Sequence, residues 1–114
     1  MSCPHLRRLA TLSEFRYIES CPCSGGIVHL SWDVATLHLS LKDFAWLVEV
    51  VDEAVERNRF EPPEALFVLW IGNLALRMSR AEEVELRGML HSALAEMSQR
   101  PEPRSSGPFT RLLN

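Results

Sequence analysis

Apolar and polar residues alternate in residues 27–32 and again in residues 35–39, the period of strands with one buried face. Only Asp33-Val34 separates the two stretches, and a two-residue connection predicts a β-hairpin. Asp-Val is a poor pair for such a turn, because tight hairpin turns favour residues that adopt positive φ. The alternation nevertheless predicts a hairpin whose buried face carries Val28, Leu30, Trp32, Ala35, Leu37 and Leu39.

A helical pattern follows this first hairpin. Ser40-Leu41-Lys42-Asp43 has the spacing of a capping box, in which the Ser40 side chain accepts hydrogen bonds from unpaired N–H groups at a helix start. Apolar residues then recur with helical spacing, so the sequence predicts a helix from Leu41 to Arg57. Its expected inward-facing residues are Phe44, Leu47, Val48, Val51, Ala54 and Val55.

The same plan returns in the second half of the chain. Residues 66–71 alternate into Gly72-Asn73, a better hairpin turn because both residues tolerate positive φ, and residues 74–79 return on the same face. Ser79-Arg80-Ala81-Glu82 repeats the helix cap. The expected inward-facing residues of the second helix are Leu86, Met89, Leu90, Ala93, Leu94 and Met97.

The two units also resemble each other in sequence. Residues 27–58 align with residues 66–97 at one constant offset and without a gap. Features that both copies share are expected to be architectural, and features that only one copy carries are candidates for function. The identical pairs are Leu30/Leu69, Leu37/Leu76, Ser40/Ser79, Leu47/Leu86 and Ala54/Ala93.

The predicted fold is α+β. A tandem ββα repeat would place its four strands in one mainly antiparallel sheet with both helices on one face. Because a lone hairpin and helix bury too little surface, the two units are expected to share a core about a pseudo-twofold axis. Phe15, Tyr17 and Ile18 suggest an additional N-terminal edge strand.

The expected organisation is a single α+β domain over residues 1–98, followed by a tail. Within the domain we distinguish an N-terminal cysteine-containing segment (1–26), repeat one (27–58) and repeat two (66–97). Residues 99–114 begin rich in proline and serine and end with the apolar Phe109, Leu112 and Leu113. This tail either folds back on its own domain or acts as a docking peptide for another protein.

Composition narrows the function classes. A length of 114 residues with 46% hydrophobic and 24% charged residues is that of one globular domain. The net charge of -3 argues against nucleic-acid and anionic-membrane partners, which require a basic field. No apolar run is long enough to span a bilayer and no secretory pattern is recognisable, so we expect a cytoplasmic protein. No phosphate-binding loop, nucleophile elbow or HExxH motif occurs, and no enzyme activity is predicted.

The charged side chains are expected to be solvated. This interpretation covers the small N-terminal basic group and the acidic residues of the two helices. Those residues are Arg7, Arg8 and Arg16, together with Glu49, Asp52, Glu53, Glu56, Glu82, Glu83 and Glu85.

All three cysteines precede the first repeat. Cys3-Pro4-His5 and Cys21-Pro22-Cys23 supply three thiols and an imidazole, donors that suit tetrahedral zinc, and iron is another metal that thiolates hold. The Cys-x-Cys spacing is tighter than that of standard zinc sites. Two alternatives therefore stay open: unligated thiols in a turn, and a redox dithiol formed by Cys21 and Cys23.

His29 and His38 form a second candidate site. If the first hairpin turns at Asp33-Val34, they lie directly opposite each other on the polar face, with Cβ atoms about 5 Å apart. The second copy has Val68 and Arg77 at these positions, so the fold does not require the histidines. They are candidate metal ligands, a pH-sensitive pair, or plain surface histidines.

Apolar residues also occur where the pattern predicts solvent. The outer face of the second hairpin is expected to carry Val68, Trp70 and Ala75, and Trp46 and Val50 fall outside the main stripe of the first helix. Exposed tryptophans with apolar neighbours are typical of protein interfaces. The alternative is that the N-terminal segment or the tail covers them.

Two functional hypotheses follow. The main one is a small cytoplasmic interaction or accessory protein, a homodimer or assembly subunit, acting through the face around Trp70 and secondarily through the tail. The rival is a metal-binding or redox-sensing protein with zinc or iron as its cofactor. Its site would centre on Cys21 and Cys23, completed by Cys3 and His5 or by His29 and His38.

Overall fold

The computed structural model describes residues 6–21 and 26–98 of the chain, and the predicted α+β class is confirmed. Strands β1 to β4 form a four-stranded antiparallel sheet in that order (sheet A), and β5 and β6 form a separate two-stranded sheet (sheet B). The elements are β1 (Arg7–Ser13), β2 (Arg16–Cys21), β3 (Ile27–Trp32), β4 (Ala35–Leu39), α1 (Leu41–Arg57), β5 (Leu66–Ile71), β6 (Leu74–Ser79) and α2 (Arg80–Ser98).

The four-stranded sheet is composed differently from the expectation. The N-terminal segment contributes a whole hairpin, β1–β2, and the second ββα unit keeps its strands in sheet B. Phe15 lies in the β1–β2 turn, whereas Tyr17 and Ile18 belong to β2, which pairs with strands on both sides. The buried β3 thus takes partners from its neighbours in sequence, the connections that chains prefer.

Both predicted hairpin turns are present. The register ends at Trp32↔Ala35 in sheet A and at Ile71↔Leu74 in sheet B, so Asp33-Val34 and Gly72-Asn73 are the turns. Gly72 adopts positive φ, as expected, and so does Asp33 with a φ of 60°. The unusual Asp33 conformation is supported by a tertiary contact, because its N–H donates to the Phe15 carbonyl oxygen at 2.9 Å.

The helix caps are formed as the spacing predicts. The Ser40 hydroxyl accepts from the N–H of Asp43 at 3.0 Å. The second cap is a complete box: Ser79 Oγ accepts from the N–H of Glu82 at 3.1 Å, and the Glu82 carboxylate accepts from the N–H of Ser79 at 2.8 Å. Each cap satisfies an N–H group that a helix start leaves unpaired.

One apolar core joins both sheets and both helices. Every residue predicted to face inward from α1 is buried; from α2, Leu86, Met89, Leu90 and Ala93 are buried, and Leu94 and Met97 are half-buried. Neither helix in the described part of the chain has the length and apolar character needed to cross a bilayer.

The prediction that the acidic residues of the helices are solvated is wrong for Glu83. Its exposed fraction is 4%, and its carboxylate accepts two hydrogen bonds from the Asn58 amide, at 3.2 and 3.4 Å. Glu83 is equivalent to Phe44 in the first copy, and both residues project into the interior. The amide of Asn58, just past the end of α1, makes burial of the carboxylate tolerable.

The prediction of a solvated N-terminal basic group is wrong for Arg16 and is borne out for Arg8, which is exposed. Arg16 is mostly buried: it binds both carboxylate oxygens of Asp33 at 2.8 Å and the carboxylate of Glu82 at 2.8 Å, and it stacks over the ring of Trp32. Arg7 pairs with Glu96, and Arg8 with Glu19. These arginines are therefore neutralised within the fold.

Candidate functional site

The outer side of sheet B is an exposed apolar surface. Leu69 and Ile71 point into the core, so the intervening residues of β5 point the other way. Trp70 is 62% exposed and Val68 is 48% exposed, and they lie across from Ala75 and Arg77 of β6. We use the term hairpin face for Leu66, Val68, Trp70, Ala75 and Arg77.

A groove of about 310 Å³ connects this hairpin to the first helix. It brings Val50 of α1 together with Val68 and Trp70 of β5, three residues that the sequence predicted as interface positions. Trp46 lies one helical turn before Val50 and is partly exposed. The full lining is Val50, Ala54, Arg57, Asn58, Phe67, Val68, Leu69, Trp70 and Glu83.

One end of the groove is polar. The buried Glu83 carboxylate and the Asn58 amide lie there together with Arg57. Arg80 closes the junction behind them, because its guanidinium donates to the backbone carbonyls of Asn58 and Arg59 at 2.8 and 2.9 Å. These bonds tie the end of α1 to the start of α2 and fix one wall of the groove.

Charges of both signs border the apolar surface without partners in the described part of the chain. Arg77 projects from the hairpin face and forms no ion pair with another described residue. Glu49 and Glu53, which flank Val50 on the exposed side of α1, form none either. The surface therefore combines apolar area with two basic side chains, Arg77 and the Arg57 of the groove, and two acidic ones.

The predicted histidine pair is formed on sheet A. His29 and His38 are directly opposite in the β3–β4 register, and their ring centroids lie 4.5 Å apart with the planes tilted by 33°. His38 is exposed and His29 is half-buried. Glu19 lies opposite His29 on β2, where Arg8 holds its carboxylate by hydrogen bonds at 3.2 and 3.1 Å.

Among the described candidates, Cys21 does not join His29 and His38 in a group that could hold a metal ion. Cys21 ends β2 and is 4% exposed. Within residues 6–21 and 26–98, no group of three or more His, Cys, Asp or Glu side chains could hold a metal ion. The other candidates, Cys3, His5 and Cys23 for metal and Phe109, Leu112 and Leu113 for an interface, lie outside the described residues.

Two further features escaped the sequence analysis. One is a groove of about 370 Å³ between β1 and α2, lined by residues that include Leu12, Glu85 and Gly88. The other is the Arg16 cluster, whose guanidinium lowers the pKa of the Asp33 carboxyl. The pKa of Glu82 is lowered first by the backbone hydrogen bond from Ser79 and then by Arg16. These shifts indicate a structural role for the Arg16 cluster, since both carboxylates are already bound by Arg16. We call this cluster of Arg16, Asp33 and Glu82 the clamp.

Comparison with known proteins gives no match: no family model matches the chain, and neither does any curated protein or solved structure. The surfaces on which a function can rest are the hairpin face with its groove and the histidine pair.

Proposed function

We propose that the chain is a small cytoplasmic interaction protein without catalytic activity of its own, which forms a homodimer through the hairpin face. The observation that carries this proposal is the exposure of Trp70 and Val68, at 62% and 48%, on an apolar face that continues into the groove beside α1. Large aromatic side chains in such surroundings supply most of the binding free energy of many interfaces.

A second copy of the chain fits this surface better than an unrelated occupant for two reasons. First, sheet B has only two strands, so both are edge strands whose backbone N–H and C=O groups can pair with another chain. Second, Arg77 on the hairpin face is opposite in sign to Glu49 and Glu53 on α1. In a twofold dimer that places Arg77 of each copy against Glu49 and Glu53 of the other, opposite charges meet at both symmetric contacts. The surface is then self-complementary.

The test is the molar mass of the full chain by sedimentation velocity over a range of concentrations, for the wild type and for Trp70→Ala. We expect a dimer for the wild type and at least about a tenfold weaker self-association for the variant, the loss typical of an interface anchor. Phe15→Ala is the matched control, because Phe15 is 61% exposed and lies in the β1–β2 turn, outside the hairpin face.

Circular dichroism keeps this test interpretable, since Trp70 is exposed and its variant should retain the native spectrum. A wild-type protein that stays monomeric at every concentration contradicts the homodimer. So does a Phe15→Ala variant that weakens the dimer as much as Trp70→Ala. A monomer that binds a different protein through Trp70 would instead support the role of assembly subunit.

A further inference from the structure

The histidine pair of sheet A brings two imidazoles, each a potential metal ligand, close together on one sheet face. The rings of His29 and His38 face each other across neighbouring strands at a centroid distance of 4.5 Å. Two metal–nitrogen bonds of about 2.0–2.1 Å at a tetrahedral metal place the nitrogens roughly 3.3 Å apart. His38 is exposed and His29 is half-buried, and the proposed site requires that their side chains rotate until one nitrogen of each ring reaches that separation.

The neighbouring strand adds a feature that such sites use. Glu19 lies opposite His29, and two hydrogen bonds from Arg8 fix its position. A carboxylate beside a ligating imidazole accepts the N–H of the ring nitrogen that does not bind the metal, which orients the ring. Arg8, Glu19, His29 and His38 thus occupy one row across all four strands of sheet A.

The pair is not needed for the fold. In the equivalent hairpin, Val68 and Arg77 occupy the same positions and pair in the same register. The β5–β6 hairpin therefore forms without histidines at these positions.

We propose that His29 and His38 bind a divalent first-row transition ion, zinc or copper, through one imidazole nitrogen each. Imidazole is a preferred ligand of both ions, and copper binds such donors more tightly. Two protein ligands leave further coordination positions for water or an external donor, so the site is open and exchangeable rather than structural. This inference is independent of the proposed dimer, because it involves the outer face of sheet A and not the hairpin face.

The experiment uses the full chain without a histidine tag, carrying Cys3→Ser, His5→Gln and Cys23→Ser so that these other donors cannot bind the probe. Zinc chloride is titrated by calorimetry, and copper(II) binding is followed by electron paramagnetic resonance, which reports nitrogen ligands. We expect binding of one ion per chain. We also expect His29→Gln and His38→Gln each to weaken metal binding by more than about tenfold. Loss of a residue that only orients a ligand already weakens metal binding by about tenfold or more, and loss of a ligand should cost more.

His91→Gln is the matched control, because His91 is exposed on α2 and pairs with Asp52 instead of a second histidine. It should leave the affinity unchanged. The proposal is overturned if the background that lacks Cys3, His5 and Cys23 binds neither ion, or if His29→Gln and His38→Gln bind as tightly as that background. Native circular dichroism spectra of the variants exclude unfolding as the cause of a lost site.

Discussion

Arg16 is the residue on which the start of β2, the β3–β4 turn and the start of α2 converge. Its guanidinium binds Asp33, which occupies the positive-φ turn position, and Glu82, which also completes the helix cap of α2. Its face stacks on Trp32, with the guanidinium carbon 4.1 Å from the ring centroid. One cation therefore stabilises a strained turn and a helix start that lie far apart in sequence.

This arrangement predicts a specific acid sensitivity. The pKa of Asp33 lies below its ordinary 3.8 and that of Glu82 below its ordinary 4.5 in the folded protein. Because a lowered carboxyl pKa stabilises the fold only while the group is ionised, this contribution is complete above the ordinary values. It is lost as the pH falls through the lowered ones. Arg16→Gln should therefore reduce the free energy of unfolding at neutral pH by about 1–2 kcal/mol, and it should flatten the acid dependence.

Urea denaturation of the wild type and Arg16→Gln between neutral pH and about pH 3 measures both effects. Arg59→Gln is the control, because Arg59 forms an exposed ion pair with Glu56 within one helical turn. Its loss should change stability by less than about 0.5 kcal/mol. Parallel acid profiles for the wild type and Arg16→Gln would refute the assignment of the clamp.

At the scale of the elements, two glycines predict opposite effects of the same substitution. An added Cβ meets no atom within 4 Å at Gly88 in α2 or at Gly72 in the β5–β6 turn. Gly72 has a φ of +64°, whereas Gly88 lies inside the helix. Gly88→Ala should stabilise the protein by about 0.5–1 kcal/mol, since alanine loses less backbone entropy in a helix.

Gly72→Ala should destabilise the protein by about 1 kcal/mol, since a Cβ is strained at positive φ. Thermal and urea denaturation of the two single variants provide the comparison. If Gly88→Ala and Gly72→Ala change the free energy of unfolding in the same direction, backbone conformation does not decide the effect of these substitutions.

The elements that repeat their pattern could be predicted from sequence, and the others could not. Both later hairpins, both helices and the caps at Ser40 and Ser79 follow from local spacing. β1 was missed because its pairing with β2 shifts register between Arg8 and Ala10 and again between Thr11 and Ser13, which disrupts the alternation. The division into two sheets was missed because strand partners depend on tertiary packing rather than on local pattern.

The candidate sites show the same division. The opposition of His29 and His38 follows from turn position and strand period, so the sequence predicted it correctly. The groove that joins Val50 to Trp70 requires the packing of α1 beside β5, which no spacing encodes. The burial of Glu83 could have been predicted from the sequence, since the repeat alignment places Glu83 at the position of the buried Phe44.

At the scale of the whole molecule, α1 and α2 contact each other, but the expected tandem repeat about a pseudo-twofold axis is not confirmed. Asp52 and His91 are equivalent positions of the two copies, and they contact each other at 2.8 Å. The two sheets differ in size. The N-terminal hairpin β1–β2 extends β3–β4 in sheet A, whereas no further described strand pairs with β5–β6 in sheet B.

Sheet A is extended by the chain's own β1–β2 hairpin, whereas sheet B is not, so sheet B is where a second molecule can dock. If Arg77 of one copy meets Glu49 and Glu53 of the other, reversing either charge should abolish the dimer, and combining the two reversals should restore it. Arg77→Glu alone and the double variant Glu49→Lys, Glu53→Lys alone should each be monomeric, because like charges then face each other at both symmetric contacts.

An equimolar mixture of Arg77→Glu with Glu49→Lys, Glu53→Lys should form a heterodimer, since every reversed charge then meets its opposite. Native mass spectrometry distinguishes the species by mass, and Asp43→Lys, on the exposed first turn of α1, controls for net charge. Raised salt should weaken the restored heterodimer, because exposed charge pairs are screened. If the mixture stays monomeric while both parents remain folded, Arg77 does not face the α1 carboxylates and the dimer must use another orientation of the hairpin face.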